Sequence, residues 1–406
     1  MKNQFIKITA LSILTSSLAF AGGYRIPETS VNAVALSSAN IANSKGADAS
    51  YYNPANMAFM GESQALDVNL MYVGLDATNF KGRSKVAGVW SSNVNIDAES
   101  ETFFIPSINY VSEKYGNIRY GFSLVVPGGL TKKWKDSPAV DSAEEFSLTA
   151  IELNPTISYK VNNQIAFAFG LRALHSEGIV KSSSTASRSL EGDSWDFGYN
   201  LALSYKPTSA LDVALTYRSN VDLTEEGNAK LYIGDAKVYD GGGSVQVPIP
   251  AVLDLAIAYT LPTKTTVEFV YERAFWSAYD VLDFDYEDSI PLAIQGPMDG
   301  AIVKDWEDVN IYRLGITQPM QGYTLMAGIV YDETPVTDEK LSFELPDSDS
   351  LSVSFGGRYQ VNKDLDLGMS MLYSMRDERT VKNDDIEGTF SNSNILLISI
   401  GAGYKF

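Results

Sequence analysis

Beyond Gln64 the chain is written in alternation. Leu66, Val68, Leu70 and Tyr72 fall on one side of an extended segment, with Asp67 and Asn69 on the other. Leu211, Val213, Leu215 and Tyr217 oppose Asp212, Ala214, Thr216 and Arg218, and Leu351, Val353, Phe355 and Tyr359 oppose Ser352, Ser354, Gly356 and Arg358. Successive side chains of a strand point to opposite faces, so a period of two predicts strands with one apolar and one polar face. Fourteen such runs begin near residues 64, 101, 117, 146, 164, 193, 209, 243, 264, 307, 322, 350, 364 and 391. The predicted fold class is all-β.

Alternation suits both a soluble sandwich, whose apolar faces meet in a dry core, and an outer-membrane barrel, whose apolar faces meet lipid. The connections separate the two. Short turns (EKYGN, VNNQ, KPTSA, LPTK, PMQG, VNKD) alternate with longer polar loops near 80–100, 131–145, 178–192, 222–242, 285–306, 332–349 and 377–390. An up-and-down transmembrane barrel produces this rhythm, because one rim carries short periplasmic turns and the other carries external loops. The chain ends NILLISIGAGYKF, with Leu396, Ile398, Ile400, Ala402, Tyr404 and Phe406 on one face. That terminal aromatic, Phe406, looks like the signal read by the outer-membrane assembly machinery. In phase with the alternation, Arg119, Glu152, Arg172, Asp196, Asp212, Arg218, Asp254, Glu268, Glu272, Arg313, Arg358, Asp366 and Arg376 face the lumen, which predicts an ion-paired interior rather than an apolar core.

The N-terminal part does not alternate. Lys2 and Lys7 precede an apolar run from Ile8 to Phe20 broken only by Ser and Thr, and Ala21 closes it. That is the layout of a signal peptide spanning residues 1–21, and its core is shorter than the roughly 20 apolar residues of a membrane helix. Residues 22–61 are too polar to span a membrane and too rich in Ala and Val to be assumed disordered; they read either as a periplasmic tail or as a plug folded into the lumen. The barrel proper is expected over 62–406. Just before it stands DASYYNPANMAF, whose Asn53-Pro54 step is a turn signal, since proline fixes its own φ and pushes the preceding residue toward extended conformations.

Composition narrows the partners. The formal charge of −19 falls to −21 once the two signal lysines leave; this disfavours nucleic acid, which is bound through basic patches. With no cysteine in 406 residues, neither disulfides nor Cys-ligated metal supply rigidity, and barrel closure takes that role.

Ordered segments along the mature chain carry a resemblance. GGYRIPETSVNAVALSSANIANSKGADASYYNPANM, LTYRSNVDLTEEGNA at 215–229, YRLGITQPMQGYTLMAGIVYDETPV at 312–336 and FELPDSDSLSVSFGGRYQVNKDLDLGMSMLY at 343–373 resemble the outer-membrane long-chain fatty acid and hydrophobic-compound transporter family (FadL/OmpP1/TodX-like). The resemblance implies a 14-stranded antiparallel barrel with an N-terminal hatch, including Asn53, Pro54 and Ala55. It also implies passive uptake: ligand is captured outside, bound in the lumen and released sideways through a gap at a kinked third strand. SLVVPGGLT stands at that place, and Pro127, Gly128 and Gly129 are expected to interrupt pairing, proline for want of a donor and the glycines through unusual dihedrals. A bulge without transport meaning is the alternative. The family's lumenal lysine maps to Lys304, nine residues before Arg313 of the Tyr312-Arg313 pair. A second family arginine aligns near Ser182, beside Lys181, a mismatch that leaves room for uncharged hydrocarbons. The external loop after the fifth strand is short, which implies a reduced capture groove. The expected partners are a long-chain fatty acid or other lipophilic small molecule, outer-membrane lipid and lipopolysaccharide, with the protein a monomer.

Chemistry of other kinds finds little footing. His175 is the one histidine, a poor basis for acid–base or metal work, and is expected as an interfacial ring near the outer rim. No Gly-x-Ser-x-Gly elbow, His-Glu-x-x-His helix or phosphate loop occurs, so neither an enzyme nor a cofactor is expected. DFDYEDS at 283–289 could hold calcium, but its spacing is not that of an EF-hand; a solvated external loop sharing divalent ions with lipopolysaccharide is the alternative. The competing classes are a hydrophobic-compound transporter, a general porin-like barrel and an outer-membrane hydrolase.

Overall fold

The computed structural model describes residues 22–406, and the predicted signal peptide lies outside the described residues. Fourteen antiparallel strands close into one barrel. They are β1 (Ala65–Leu75), β2 (Glu101–Val111), β3 (Ile118–Lys133), β4 (Glu145–Lys160), β5 (Ile165–Ser182) and β6 (Ala186–Tyr205). Next come β7, interrupted between Leu211–Arg218 and Val221–Ile233, and β8, interrupted between Ala236–Ile249 and Ala251–Thr260. The last six are β9 (Thr266–Phe275), β10 (Val309–Met320), β11 (Tyr323–Asp332), β12 (Ser350–Gln360), β13 (Leu365–Arg376) and β14 (Ile395–Lys405). Closure is made by β1 against β14, where Leu66 faces Tyr404 and Leu75 faces Ile395, so the wall is joined between its first and last strands.

The faces fall as the alternation requires. Val68, Leu70, Phe169, Leu255, Ile316 and Phe355 are exposed on the outside, whereas Asp67, Asn69, Arg172, Asp254 and Ser354 are buried inside. The outer apolar band is thus the surface that meets lipid. We expect Leu255→Arg, at the middle of the second segment of β8, to destabilise the barrel by about 2–4 kcal/mol in a bilayer; unfolding titrations in phospholipid vesicles would measure it.

Two expectations need correction. The polar stretches at 178–192 and 222–242 are mostly strand: β5 and β6 run on to a hairpin at 183–185, and β7 and β8 to one at 234–235. Nor is the interior ion-paired throughout. Along β4 the buried inward series is Phe146, Leu148, Ala150, Glu152, Asn154, Thr156, Ser158, apolar toward the outer end and polar toward the periplasmic end. The outward series runs the other way, from Ser147 and Thr149 to Ile157 and Tyr159. Once a strand leaves the bilayer its outside meets water and its inside packs against loops, so the same period of two carries the opposite meaning. Polarity at those positions marks the edge of the membrane, not the end of a strand.

Inside the barrel, residues 22–61 form a plug, with α1 (Val31–Leu36) against β10 to β14 and α2 (Ala49–Tyr52) against β2 and β3. The Ser30 hydroxyl accepts the Ala33 N–H at 3.1 Å and caps α1; Ser37 and Ser38, both at positive φ, end it. The helix presents Val31, Val34 and Ala35 to the wall, all fully buried. A porin's open lumen is therefore not what this barrel encloses.

Candidate functional site

Barrel charges hold the plug. Glu268 accepts the successive N–H groups of Ile41, Ala42 and Asn43 at 2.6, 2.6 and 3.1 Å, a backbone nest closed on a carboxylate. Arg313 donates to Glu28 and to the Ser37 carbonyl while pairing with Glu272 at 3.1 Å. Arg25 pairs with the other oxygen of Glu272. Arg358 bridges Asp67 and Asp366 and donates to Asn32. Arg119 donates to the Met57, Gly61 and Ser63 carbonyls where the chain enters β1. At the Asn-Pro-Ala triplet, Asn53 lies outside the helical region (φ −152°, ψ 87°), which a following proline disfavours, with ψ short of the fully extended value. Its Oδ1 accepts the Ala55 N–H, and its Nδ2 donates to the Ile41 carbonyl and to Ser204 on β6. Pro54 opens a 3₁₀ turn, and Ala55 packs on Ala166, Ala168 and Ala202. Below the plug, on its periplasmic side, lies a cavity of about 510 Å³ lined in part by Leu36, Asn40, Asp48, Asp67 and Arg358.

The wall is discontinuous at β3. Toward β4 the strand pairs along its whole length, slipping by one residue between Val125 and Gly128. Toward β2 it pairs only from Gly121 to Leu124, against Val111 to Ile108. Farther out, Glu101–Ser107 have β1 on one side and no strand on the other. The gap closes again above, where the Glu99 N–H reaches the Lys133 carbonyl at 2.9 Å. Continuing the β2–β3 register by two residues sets Pro106 opposite Val126, so each border of the break carries a proline within one residue of that position. Sequence reading missed Pro106, although a proline inside the run FFIPSINY is itself a signal of an unpaired edge. Neither Gly128 nor Gly129 has positive φ. What calls for glycine is space: a Cβ on Gly128 would lie 2.8 Å from Ile249 and 3.1 Å from the Tyr24 carbonyl.

That carbonyl belongs to the start of the plug, which lines the kink from within. The Tyr24 carbonyl accepts the Gly129 N–H and the Ile26 N–H donates to the Pro127 carbonyl, both at 2.8 Å. The Tyr24 ring is buried in an aromatic cage with Trp276, Tyr279 and Trp306, with centroid separations of 4.8–6.2 Å. Beside the kink, Met71, Val73, Leu75, Phe103 and Ile105 give the window an apolar lumenal lining.

Lys304 is buried and pairs with Glu344 at the edge of this cage. Burial alone would raise the Glu344 carboxyl, but the neighbouring Lys304 ammonium outweighs it and holds the group below its ordinary value. The crevice they line with Tyr24, Leu130, Trp306 and Lys340 measures about 10 Å³, room for about one water. Each of its two ammonium groups has a carboxylate partner, Lys304 in Glu344 and Lys340 in Asp305 at 3.9 Å. The other two residues chosen from the sequence sit elsewhere. Lys181 is part-exposed at the outer end of β5 and pairs with Glu145 and Glu191. Arg313 is committed to Glu272 and the plug. Sequence reading also missed Lys132: just past the kink, 6 % exposed, its ammonium donates to the Thr78 hydroxyl at 2.9 Å and forms no ion pair among the described residues. His175 stacks on Trp195 at 5.0 Å on the outward face of β5. Within DFDYEDS, Phe284–Tyr286 add a short strand to β8, with Phe284 buried in the outer core.

Comparison with known proteins places this architecture. The sequence model of the family described as outer membrane protein transport protein (OMPP1/FadL/TodX) matches residues 12–406. A long-chain fatty acid transport protein of Escherichia coli O6:H1 is 23 % identical over 425 residues, covering 92 % of each chain. Among solved structures, a FadL homologue of Pseudomonas aeruginosa superposes with a TM-score of 0.83 at 17 % identity, covering 94 % of this chain and 99 % of its own. The toluene transporter TodX of P. putida superposes at 0.71 and 18 %, covering 92 % and 98 %. At these identities the structural likenesses establish the fold.

Proposed function

Because this chain belongs to the outer membrane protein transport family (OMPP1/FadL/TodX), a family of Gram-negative outer-membrane transporters of hydrophobic compounds and not of enzymes, we propose that it carries long-chain fatty acids inward and releases them sideways through the β2–β3 window. The broken pairing at β3, with its lumenal side lined by apolar residues, is the observation that carries this reading.

Lateral release follows from solvation. Each methylene of an acyl chain gains about 0.8 kcal/mol on leaving water, so a path through the aqueous periplasmic mouth would forfeit most of what binding had gained. A window onto the bilayer avoids that loss. In the described arrangement the Lys304 crevice is too small for an acyl chain and Tyr24 fills its floor, so binding there requires Tyr24 to move. The Tyr24 carbonyl holds the kink, and its displacement frees the window that the ligand then uses. The plug beyond Pro27 stays where Glu268, Arg119 and Arg358 hold it.

Outer-membrane vesicles carrying the protein should take up labelled long-chain fatty acid faster than vesicles lacking it; equal rates would refute the reading. Anion recognition is tested separately. Removing one charged hydrogen-bond donor costs about 1.5–3 kcal/mol, so Lys304→Met should weaken fatty acid binding about tenfold or more while leaving a neutral hydrocarbon within about twofold. If Lys132→Met instead produces that selective loss, the head group lies beside the kink.

A second reading, uptake of aromatic hydrocarbons, is favoured by the pairing of Lys304 with Glu344 and of Lys181 with Glu145, which leaves neither lysine a free ammonium. Mass spectrometry of ligand co-purified from the native membrane distinguishes the two.

A further inference from the structure

Past the β3 kink the barrel buries a charge that no carboxylate meets. Lys132 stands on the lumenal side of β3, opposite Phe146 of β4, and is 6 % exposed. One of its three N–H donors goes to the Thr78 hydroxyl at 2.9 Å, which shares a further hydrogen bond with the Ser393 hydroxyl at 3.1 Å. Next to Ser393, the Asn394 Oδ1 accepts the backbone N–H of Arg376 at 3.1 Å. Arg376 ends β13 with its side chain buried. Its Nη2 donates to Asp347 at 2.6 Å, but its Nε is buried with no hydrogen-bond partner. Asp347 is shared with the Gly23 N–H and the Thr334 hydroxyl. Glu101 acts on Lys132 through space, yet among the described residues Lys132 forms no ion pair. A buried ammonium beside a buried guanidinium, both with donors unspent, carries an electrostatic cost that an arriving anion removes.

The two cations lie where the ligand's path changes character. On one side, Leu130 and Phe146, which neighbour Lys132 along and across the strand, line the Lys304 crevice. On the other, the apolar lining of the window begins: Leu75 precedes Thr78, Ile395 follows Asn394, and Phe103 and Ile105 sit on the open edge of β2. We propose that Lys132 and Arg376 form a second carboxylate site, which holds the head group of a fatty acid while its tail enters the β2–β3 window. The inference rests on the fatty acid reading of the transporter. A carboxylate brings two oxygens, one to accept from Lys132 Nζ and one from Arg376 Nε, and its single negative charge is what the two cations lack. The apolar strip takes the tail. An acid that leaves Lys304 thereby keeps a cationic partner during its passage, and its head group is never left unpaired against an apolar lining. An alcohol of equal length gains nothing from this site beyond its tail.

The test is equilibrium binding to the full protein in detergent, its fold checked by heat-modifiable electrophoretic migration, with a long-chain fatty acid and the fatty alcohol of equal length as probes. Lys132→Met alone should leave acid binding within about twofold, because Lys304 still holds the head group. In Lys304→Met the second site becomes the main one. Adding Lys132→Met there should weaken acid binding by a further factor of about ten, the worth of one charge-assisted donor, and leave the alcohol within about twofold. Lys132→Arg on the same background keeps the cation and should hold acid binding within about threefold of Lys304→Met. Equal acid binding by Lys304→Met and the double variant would overturn the site. So would a loss shared equally by the alcohol, which marks a packing effect, or a selective loss in Lys132→Met alone, which makes the site first rather than second. Exchanging an unpaired buried ammonium for a thioether removes an electrostatic cost, so the variants should fold. Should they not, Lys132→Gln, which removes the charge and keeps a polar donor, must show the same selective loss. A wild type that binds acid and alcohol alike would remove the fatty acid reading together with this site, whereas failure of the site alone leaves that reading standing.

Discussion

Deleting Pro127 should lower uptake of hydrophobic ligand about tenfold or more, equivalent to raising the barrier by at least about 1.4 kcal/mol, while the barrel stays folded. The reason lies in the register. Between Val125 and Gly128 the third strand advances three residues while its partner β4 retreats two, from Glu152 to Ala150. Removing one residue restores the count on that side, takes out a position that lacks an N–H, and lets β3 run on beside β2. The plug segment loses the Pro127 carbonyl to which Ile26 donates, but Glu268, Arg119 and Arg358 still hold the remainder. Ligand binding in detergent should therefore survive while transfer into vesicle lipid falls. Uptake at the wild-type rate by a folded variant would sink lateral release, whereas parallel loss of binding and uptake would place the effect in the lumen.

Glu272→Ala should be the most destabilising of the changes considered. This carboxylate is 5 % exposed and lies between Arg25 of the plug and Arg313 of β10. Its removal leaves two buried guanidinium groups with one carboxylate, Glu28, on Arg313 alone. Breaking a buried pair in this way costs about 3–5 kcal/mol. By contrast, Arg83→Ala, which breaks the exposed loop pair with Glu387, should cost about 1 kcal/mol or less. Denaturant unfolding in detergent, followed by the loss of heat-modifiable migration, compares the two. Equal and small losses would show that the lumen around Glu272 is as well solvated as the surface. Because Arg25 sits one residue from Tyr24, the same variant should also loosen the window.

Much of this arrangement can be read from residue order. Strand count and facing follow from period two, since lipid on one side and polar groups on the other leave an alternation that survives without any knowledge of partners. The pairs Glu152–Arg172 and Arg358–Asp366 were foreshadowed by their shared phase. That Asn53 leaves the helical region follows from Pro54 alone. The tall hairpins of β5 to β8 were misread as loops, because polarity was taken for irregularity when it marked only the exit from the bilayer. The apolar outer lumen was missed for the same reason: Phe146 and Leu148 sit on the side that is polar farther down the strand.

Sequence by itself determined the number of strands, which side of most of them meets lipid and where the wall would be weakest, because each depends on local chemistry repeated along one strand. Tertiary structure alone decided what closes that weak place. Pro106 and Pro127 are brought to the same break by pairing between strands, Tyr24 reaches it from the far end of the plug, and Asp332 meets Gly22 across 310 positions of chain. Such meetings depend on the barrel closing and the plug folding inside it, and no periodicity of a single segment records them.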